Sequence, residues 1–205
     1  MSCYAVIDFE TTGLSPSYGA RPTEIAVVII SGGKITDRYQ SLMNPGLPIP
    51  FEIQVLTGIT NAMVRNAPSV ESVMRKAMEF VSHHPIAAHN AAFDSKFWDS
   101  ELRGMQRPRR PEFACSMLLA RRLFPDAPNH KLGTLARTLD LPATGRSHRA
   151  LADAEATAYL LLHIQQELRR RFGLAAVSHD LLIAIQTADR GQLEACVHRH
   201  RVAGR

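Results

Sequence analysis

The sequence has few cysteines and no long apolar run. Its three cysteines, Cys3, Cys115 and Cys196, lie far apart without a Cys-x-x-Cys pair, which argues against a disulfide framework or a cysteine zinc site. The longest strongly apolar run, residues 25–30, falls far short of the roughly 20 residues that cross a bilayer. The start of the chain, Met-Ser-Cys-Tyr, lacks the basic and apolar regions of a signal peptide. We therefore expect a soluble, cytoplasmic protein that has no membrane partner.

The composition is that of an ordinary globular protein. Hydrophobic residues make up 45% of the chain and charged residues 21%, which argues against a disordered or fibrous protein. A chain of 205 residues fits one domain with a tail, or two small domains, and can bury a core without covalent cross-links. We assign residues 1–172 to one globular domain and residues 173–205 to a short helical extension.

Positive charge is concentrated in the second half of the chain. The net charge is +5, but residues 1–102 carry −3 and residues 103–205 carry +8. This asymmetry suggests a polyanionic partner, with nucleic acid as the first choice and an anionic membrane surface as the second. Ordinary surface solvation is the alternative, both for the asymmetry and for a candidate backbone-binding set that comprises Arg107, Arg109, Arg110, Arg121, Arg122 and Arg146.

The pattern of apolar and turn residues predicts an α/β domain. Strands are expected at 4–9, 24–31 and 34–43, and the Gly32-Gly33 pair between the last two predicts a hairpin turn, so the three strands should form an antiparallel meander. Helices and two further strands then alternate, which indicates a mixed central sheet. The expected helices are 69–82, 91–102, 116–124, 131–139, 150–172, 178–188 and 191–200, and the further strands are 85–89 and 112–116.

Two acids close the first predicted strand, within the run Asp-Phe-Glu-Thr-Thr-Gly at residues 8–13. Residues two apart on a strand face the same side, with backbones roughly 7 Å apart. Asp8 and Glu10 can therefore reach one divalent cation, and ligands of α/β proteins usually bind at strand ends. Two solvated acids are the better interpretation of Asp-x-Glu alone, whereas the full run is much more specific.

Two more polar clusters precede predicted helices. Asp94 should lie in the first turn of a helix that follows a buried strand, where it could simply stabilise the helix dipole while Asn90 caps the helix. His148 and Asp153 are five residues apart, so their side chains converge only if His148 lies in a loop and Asp153 in the early turns of the next helix. A surface histidine is the alternative interpretation of His148.

Together the clusters predict a metal-dependent phosphodiesterase. Four carboxylates in one cleft would repel each other by roughly 1 to 4 kcal/mol per close pair, unless divalent cations lie between them. Oxygen ligands favour Mg²⁺ or Mn²⁺ over zinc, and two such ions are the usual means of in-line attack on a phosphodiester. A histidine is then the natural general base for the attacking water.

Asp8-x-Glu10, Asp94 and His148-x-x-x-x-Asp153, in this order, resemble the three motifs of the DEDDh 3′–5′ exonucleases. The chain is similar in particular to the epsilon proofreading subunits of bacterial DNA polymerase III, from about residue 4 to residue 168. The resemblance implies a ribonuclease H-like α/β fold, with a five-stranded mixed sheet in the order 3-2-1-4-5 and helices on both sides.

The resemblance also implies roles for individual residues. Asp8, Glu10 and Asp153 would bind one metal ion, Asp8 and Asp94 would bind the second, and His148 would be the general base. The implied contacts to the terminal nucleotide come from Thr11, Gly13, Leu56, Thr57, Asn90 and Phe93. Plain core packing is an equal alternative for Leu56 and Phe93. Thr57 departs from the family pattern, because many epsilon-like members have histidine there.

The leading functional hypothesis is a 3′–5′ exonuclease that releases nucleoside 5′-monophosphates from single-stranded DNA. An RNA-trimming exonuclease is the second, because DNA and RNA are told apart by contacts to the 2′-OH, which the residues do not decide. The third is a non-catalytic subunit that binds a polymerase through the helices at 178–200. Residues 173–205 contain no clear clamp-binding peptide, so a stand-alone exonuclease fits better than a replicative subunit.

Overall fold

A computed structural model describes residues 3–108 and 112–203, and its centre is a sheet of five strands in the order β3-β2-β1-β4-β5. The strands are β1 (Tyr4–Thr11), β2 (Pro22–Ser31), β3 (Lys34–Leu42), β4 (Ile86–Ala88) and β5 (Ala114–Cys115). The order and the mixed directions confirm the fold class predicted from the sequence. Arg109 and Arg110 lie outside the described residues, as does the rest of residues 109–111.

The first three strands form the predicted antiparallel meander. Tyr4 pairs with Ile30 and Glu10 with Glu24 across β1 and β2, and β2 pairs in turn with β3. Gly32 and Gly33 join β2 to β3 with φ angles of 61° and 82°, a left-handed conformation that residues with a Cβ rarely adopt. The turn therefore depends on this glycine pair.

The last two strands run parallel to β1 and are shorter than predicted. β4 contributes two register pairs with β1, and β5 two with β4. Because β1 is the central strand, with β2 on one side and β4 on the other, its C-terminal end lies beside the C-terminal end of β4. This arrangement brings the chain after Glu10 close to the chain after Ala88.

Helices occupy most of the remaining described chain. They are α1 (Phe51–Thr57), α2 (Asn61–Arg65), α3 (Val70–Val81), α4 (Ala92–Gly104), α5 (Ser116–Leu123), α6 (Leu132–Thr138), α7 (Ala150–Phe172), α8 (His179–Thr187) and α9 (Leu193–Ala203). The sequence analysis missed α1 and α2, which are short helices of seven and five residues. The residues that cap these helices are typical of helix ends, since Gly58 ends α1 in a left-handed conformation and the Thr60 side chain caps α2.

The sheet divides the interior into two cores. Alternate residues of a strand face opposite sides, so Tyr4 and Val6 pack towards α7, whereas Ala5 and Ile7 pack towards α3 and α4. All four side chains are fully buried, as expected for a central strand that is covered on both faces.

Helices α8 and α9 pack on the same core as α7. Gly173 ends α7 in a left-handed conformation, and the chain then returns to bury Leu181, Leu182, Ile185 and Val197 against that core. No helix of residues 3–108 and 112–203 has the length and apolar character needed to cross a membrane. The cytoplasmic location stays a prediction.

Gln186 of α8 fastens the extension to the open edge of the sheet. Its side-chain oxygen accepts a hydrogen bond from the Cys115 backbone N–H at 2.7 Å, and its amide nitrogen donates to the Phe113 carbonyl and to Glu112 Oε1, each at 3.1 Å. Gln186 is 5% exposed, so these hydrogen bonds satisfy its buried amide group and also backbone groups at the edge of the sheet.

We expect Gln186→Ala to lower the free energy of unfolding by about 1–3 kcal/mol, because the buried Cys115 N–H loses its acceptor. Urea unfolding followed by circular dichroism measures the change, and Gln192→Ala, at an exposed glutamine of the same extension, is the matched control. Equal stabilities for the two variants would show that the edge contact contributes nothing.

Candidate active site

One cavity of about 350 Å³ lies at the C-terminal end of β1. It is bounded by the loop after β1, helix α1, the β4–α4 connection and the start of α7. All eleven site residues that the sequence predicted line it: Asp8, Glu10, Thr11, Gly13, Leu56, Thr57, Asn90, Phe93, Asp94, His148 and Asp153. Residues from four separated segments of the chain therefore meet in one place.

The first two acids lie on the same face of β1, as their spacing predicted. Asp8 is partly exposed to the cavity, and Glu10 is 9% exposed. The register of β1 with β2 shifts between Glu10 and Thr11, so the strand is irregular at the point where it delivers these side chains. Thr11 then folds back, and its hydroxyl donates a 2.7 Å hydrogen bond to the Gly13 carbonyl.

Asp94 joins α4 to β1. It lies in the first turn of α4, is 2% exposed, and its Oδ1 accepts a 3.1 Å hydrogen bond from the Phe9 backbone N–H. The alternative interpretation of Asn90 as the helix cap is wrong. Asn90 has a φ of 60° and precedes the cap residue Ala91, and asparagine is one of the few residues that tolerate this left-handed conformation.

His148 and Asp153 converge as their five-residue spacing predicted, with the histidine in a loop and the aspartate on the next helix. His148 lies in the loop before α7 with a φ of 60°, and Asp153 lies in the first turn of α7. The His148 backbone N–H donates a 2.9 Å hydrogen bond to Asp153 Oδ2, which fixes the loop on the helix. Ligand atoms of Glu10, His148 and Asp153 lie within 4.8 Å of one another.

The cavity holds its carboxylates against electrostatic repulsion. Burial, and then the charges of Asp153, Glu24 and Asp94, raise the pKa of Glu10 to about 8. Burial likewise raises the pKa of Asp94 to about 8, although the hydrogen bond from Phe9 opposes the shift. The pKa of Asp8 is well above its usual range for the same reasons, with burial first. Closely spaced, poorly hydrated carboxylate oxygens are the donor set that Mg²⁺ or Mn²⁺ prefers, so these residues fit divalent ions.

Glu24 is a site residue that the sequence analysis missed. It lies on β2 opposite Glu10 and is fully buried. Its carboxylate accepts hydrogen bonds from Arg149 Nη2 at 2.8 Å and Nε at 3.1 Å, from the Ala150 backbone N–H at 3.1 Å, and from Gln40 Nε2 at 2.8 Å. Although burial opposes it, these bonds lower the pKa of Glu24. Glu24 thus holds the start of α7, next to His148, on the sheet.

The residues predicted to bind the nucleotide differ in the exposure of their side chains and in the contacts that these side chains already make. Leu56 is 48% exposed, which rules out core packing for its side chain. Phe93 lines the cavity and also packs on Phe97, with ring centroids 5.1 Å apart, so it has both roles. Thr57 is 1% exposed, and its hydroxyl bonds to Ile53 and Ile59 of its own segment at 2.9 and 3.0 Å. That hydroxyl is therefore used to close the turn after α1.

Four further lining residues were not singled out from the sequence: Phe9, Leu14, Ile53 and His89. His89 Nε2 lies 3.1 Å from the His130 carbonyl, which only accepts, so Nε2 carries the proton and Nδ1 accepts from Ser116 Oγ at 2.8 Å. Burial lowers the pKa of His89 to about 4. His89 is therefore neutral, and its two hydrogen bonds link the end of β4 to α5 and to the loop before α6.

A model of the exonuclease family (RNase_T) matches residues 5–161. DNA polymerase III subunit epsilon of Aquifex aeolicus is 35% identical over 174 residues, which cover 83% of this chain and 84% of that subunit. PolC-type DNA polymerase III of Bacillus cereus is 41% identical over 167 residues, which cover 80% of this chain and 11% of that polymerase. The chain spans about a tenth of the length of the PolC-type relatives.

Solved structures with the same fold include exonuclease X in complex with 5′ overhanging duplex DNA. The two chains superpose with a TM-score of 0.69 at 31% identity, covering 89% of this chain and 99% of that one. The nuclease domain of 3′hExo, a DEDDh family member bound to rAMP, gives a TM-score of 0.70 at 20% identity over 86% and 96% of the two chains. At that identity the likeness concerns the fold alone.

The strand order is the one that the resemblance implied, and one cavity brings together the acids at the end of the central strand and the histidine before α7. The chain belongs to the exonuclease family, as the family match over residues 5–161 and the epsilon relative show. The resemblance inferred from the sequence is confirmed. Enzymes of this family use divalent metal ions, in agreement with the acid-lined cavity.

We expect Glu10→Gln to stabilise the metal-free protein. With its pKa raised to about 8, Glu10 binds a proton more tightly in the folded chain than in the unfolded one, where glutamate titrates near ~4.3. The free energy of unfolding should therefore fall as pH rises from about 4 to 8. In EDTA, Glu10→Gln should exceed wild type by about 1 kcal/mol at pH 8 and by less at pH 5.

Chemical unfolding at the two pH values tests this, with Glu79→Gln at an exposed position of α3 as the control. The same titrations with Mn²⁺ should show wild type gaining more stability from the ion than Glu10→Gln does. If Glu10→Gln is destabilising in EDTA at pH 8, the carboxylates do not repel one another as argued.

We expect Arg149→Ala to destabilise the fold by up to about 3 kcal/mol, because the buried Glu24 carboxylate loses two of its four hydrogen bonds. Arg75→Ala is the control, because its ion pair with Glu71 on α3 is exposed and should contribute only about 0.3–0.5 kcal/mol. Thermal unfolding of both variants measures the difference. Similar losses would mean that Glu24 and Arg149 do not anchor α7.

Proposed function

We propose that the protein is a metal-dependent 3′–5′ exonuclease that releases nucleoside 5′-monophosphates from single-stranded DNA. The observation that carries the proposal is the convergence of four carboxylates and His148 in one cavity, beside side chains suited to hold a single terminal nucleotide. Membership of the exonuclease family supports the reaction class. Substrate, polarity and product are what the resemblance implies, and the residues that line the cavity are compatible with them.

The metal ions would be held by the carboxylates. Asp8, Glu10 and Asp153 would bind one divalent ion, and Asp8 together with Asp94 would bind the other, with Mg²⁺ and Mn²⁺ as the candidates. Bound there, the ions would supply Lewis-acid stabilisation of the phosphate and of the leaving oxygen. This division is supported by the charges that act on the two acids of β1, since Asp94 is the first carboxylate to raise the pKa of Asp8 and the last to raise that of Glu10.

His148 would be the general base of the reaction. Its imidazole faces Glu10 and Asp153, where an attacking water would lie, and the bond from its own backbone N–H to Asp153 holds the loop in place. In the neutral form the imidazole takes a proton from that water as the water attacks phosphorus. The proton then leaves the cavity through the exposed side of His148.

The other end of the cavity would hold the terminal nucleotide. Leu56 and Phe93 would offer apolar surface to the base, and the main chain at Thr11 and Gly13 would contact the sugar and its 3′-hydroxyl. Asn90, held in its left-handed conformation between β4 and α4, would contact the sugar from the opposite side. In this arrangement the cavity would receive a free strand end rather than an internal nucleotide.

A non-catalytic, polymerase-binding role is less well supported. Helices α8 and α9 turn their apolar side chains into the core, and Gln186 is fully engaged with β5. The apolar side chains of these helices and Gln186 are therefore used within the fold and are not exposed as a clamp-binding peptide. The name of the epsilon relative describes a polymerase subunit, so association with a polymerase through residues 178–200 stays the alternative for this chain.

Purified protein with Mg²⁺ or Mn²⁺ should digest a 5′-labelled single DNA strand from its 3′ end and release 5′-monophosphates. EDTA should abolish the reaction, and a 3′-phosphate should block it because the cavity is shaped around a 3′-hydroxyl. Product analysis by gel and chromatography checks each point, and matched RNA tests the RNA-trimming alternative. Cleavage of a circular single strand, or undiminished hydrolysis in EDTA, contradicts the proposal.

His148→Ala should separate the base from the metal ligands. We expect kcat to fall by about 10²–10⁴-fold, the usual contribution of general base catalysis, while Mn²⁺ binding stays close to wild type. Asp8→Ala is the matched variant, because it should lose both activity and most of the metal binding. Calorimetric titration with Mn²⁺ distinguishes the two. If His148→Ala loses metal as Asp8→Ala does, the imidazole is a ligand and not the base.

A further inference from the structure

A second and larger groove opens from the catalytic cavity. It has a volume of about 1050 Å³ and shares His89, Asn90, His148 and Asp153 with that cavity, so the two are continuous. Its walls come from α5, α6 and the segment that follows α8. A strand whose last nucleotide occupies the catalytic cavity has this groove as a direct continuation.

The walls of this groove are strongly basic. Arg121, Lys131, Arg137 and Arg190 line it, and Asp153, which belongs to the catalytic site, is the one carboxylate among its described lining residues. Within residues 3–108 and 112–203, none of the four cations forms an ion pair with a carboxylate. We call this region the basic groove. Four unpaired cations along one concave surface form a site for a polyanion.

Arg190 comes from the C-terminal extension, beyond the residues that the family model matches. Arg122 fixes its position, since the guanidinium donates to the Ala188 carbonyl from Nε at 3.1 Å and from Nη2 at 2.8 Å, and Nη1 donates to the Leu118 carbonyl at 2.9 Å. The backbone two residues before Arg190 is thereby tied to α5.

The chain then turns through a short 3₁₀ helix, Arg190–Gln192, that closes with a 2.9 Å bond from the Gln192 N–H to the Asp189 carbonyl. Arg122 lies close to other positive charges. Burial, and then the charges of Arg190 and Arg121, lower the pKa of Arg122. Asp189 is exposed beside Arg190 but does not line the basic groove. The extension thus presents a fixed arginine to the groove.

We propose that the basic groove binds the phosphodiester backbone of single-stranded DNA on the 5′ side of the terminal nucleotide, and that Arg190 of the C-terminal extension contacts a phosphate there. The proposal rests on the proposed function, which places the 3′ end in the catalytic cavity. It gives residues 173–203 a part in holding the substrate, in addition to their packing on the core.

Arg190→Glu tests the proposal with two substrates. One is a single strand of about 20 nucleotides, which fills both cavities, and the other is the p-nitrophenyl ester of thymidine 5′-monophosphate, which reaches the catalytic cavity alone. The charge reversal should raise the KM of the long strand about fivefold or more, the scale of one lost ion pair, with kcat nearly unchanged. The salt slope of log kcat/KM should become shallower by about 0.7, and hydrolysis of the ester should not change.

Arg199→Glu is the matched control, because Arg199 is an exposed arginine of α9 that does not line the basic groove. It should behave as wild type on both substrates. The proposal is overturned if Arg190→Glu processes the long strand normally, if Arg199→Glu loses as much, or if both substrates suffer equally from Arg190→Glu. A wild-type protein inactive on both substrates would instead refute the proposed function.

Discussion

The architecture of the site depends on one unfavourable arrangement, the burial of Asp8, Glu10, Asp94 and Asp153 in one poorly hydrated cavity, where burial raises the pKa of each and neighbouring carboxylate charges raise those of Asp8 and Glu10 further. Closely spaced carboxylates would move apart in a flexible chain, so each needs a restraint. β1 supplies the first two from a strand buried on both faces, the Phe9 N–H holds Asp94, and the His148 N–H holds Asp153. Rigidity of the fold keeps the acids where divalent ions would relieve their repulsion.

Glu24 shows how the same fold uses a fifth acid in the opposite way. Glu24 lies on β2 and pairs with Glu10 on β1, yet the pKa of Glu24 is lowered whereas that of Glu10 is raised. The difference is the four hydrogen bonds that it receives from Arg149, Ala150 and Gln40. Glu24 is thus a structural anion that fixes α7, whereas the charge of Arg149 lowers the pKa of Glu10 too little to offset burial and the neighbouring carboxylates.

The strand order was predicted from the resemblance to a known family, whereas the meander and the acids have local signals: the Gly32-Gly33 turn, the acids that close β1, and the five-residue spacing of His148 and Asp153. Sequence reasoning missed α1 and α2, the short helices between β3 and α3. It also missed Glu24, whose signal was a lone glutamate in the apolar β2, and every cation of the basic groove except Arg121, since Arg190 reaches the groove only when α8 returns to α5. Pairings of that kind depend on tertiary contacts that no local pattern encodes. The metal and base assignments of the site residues stay predictions.

The most direct measurement is anomalous diffraction from crystals grown with Mn²⁺ and a nucleoside 5′-monophosphate. The account predicts two manganese peaks about 3.5–4 Å apart, ligated by the oxygens of Asp8, Glu10, Asp94 and Asp153, with the His148 imidazole free of metal. A single ion held by His148 nitrogen together with Glu10 and Asp153, whose ligand atoms already lie within 4.8 Å of one another, would contradict it.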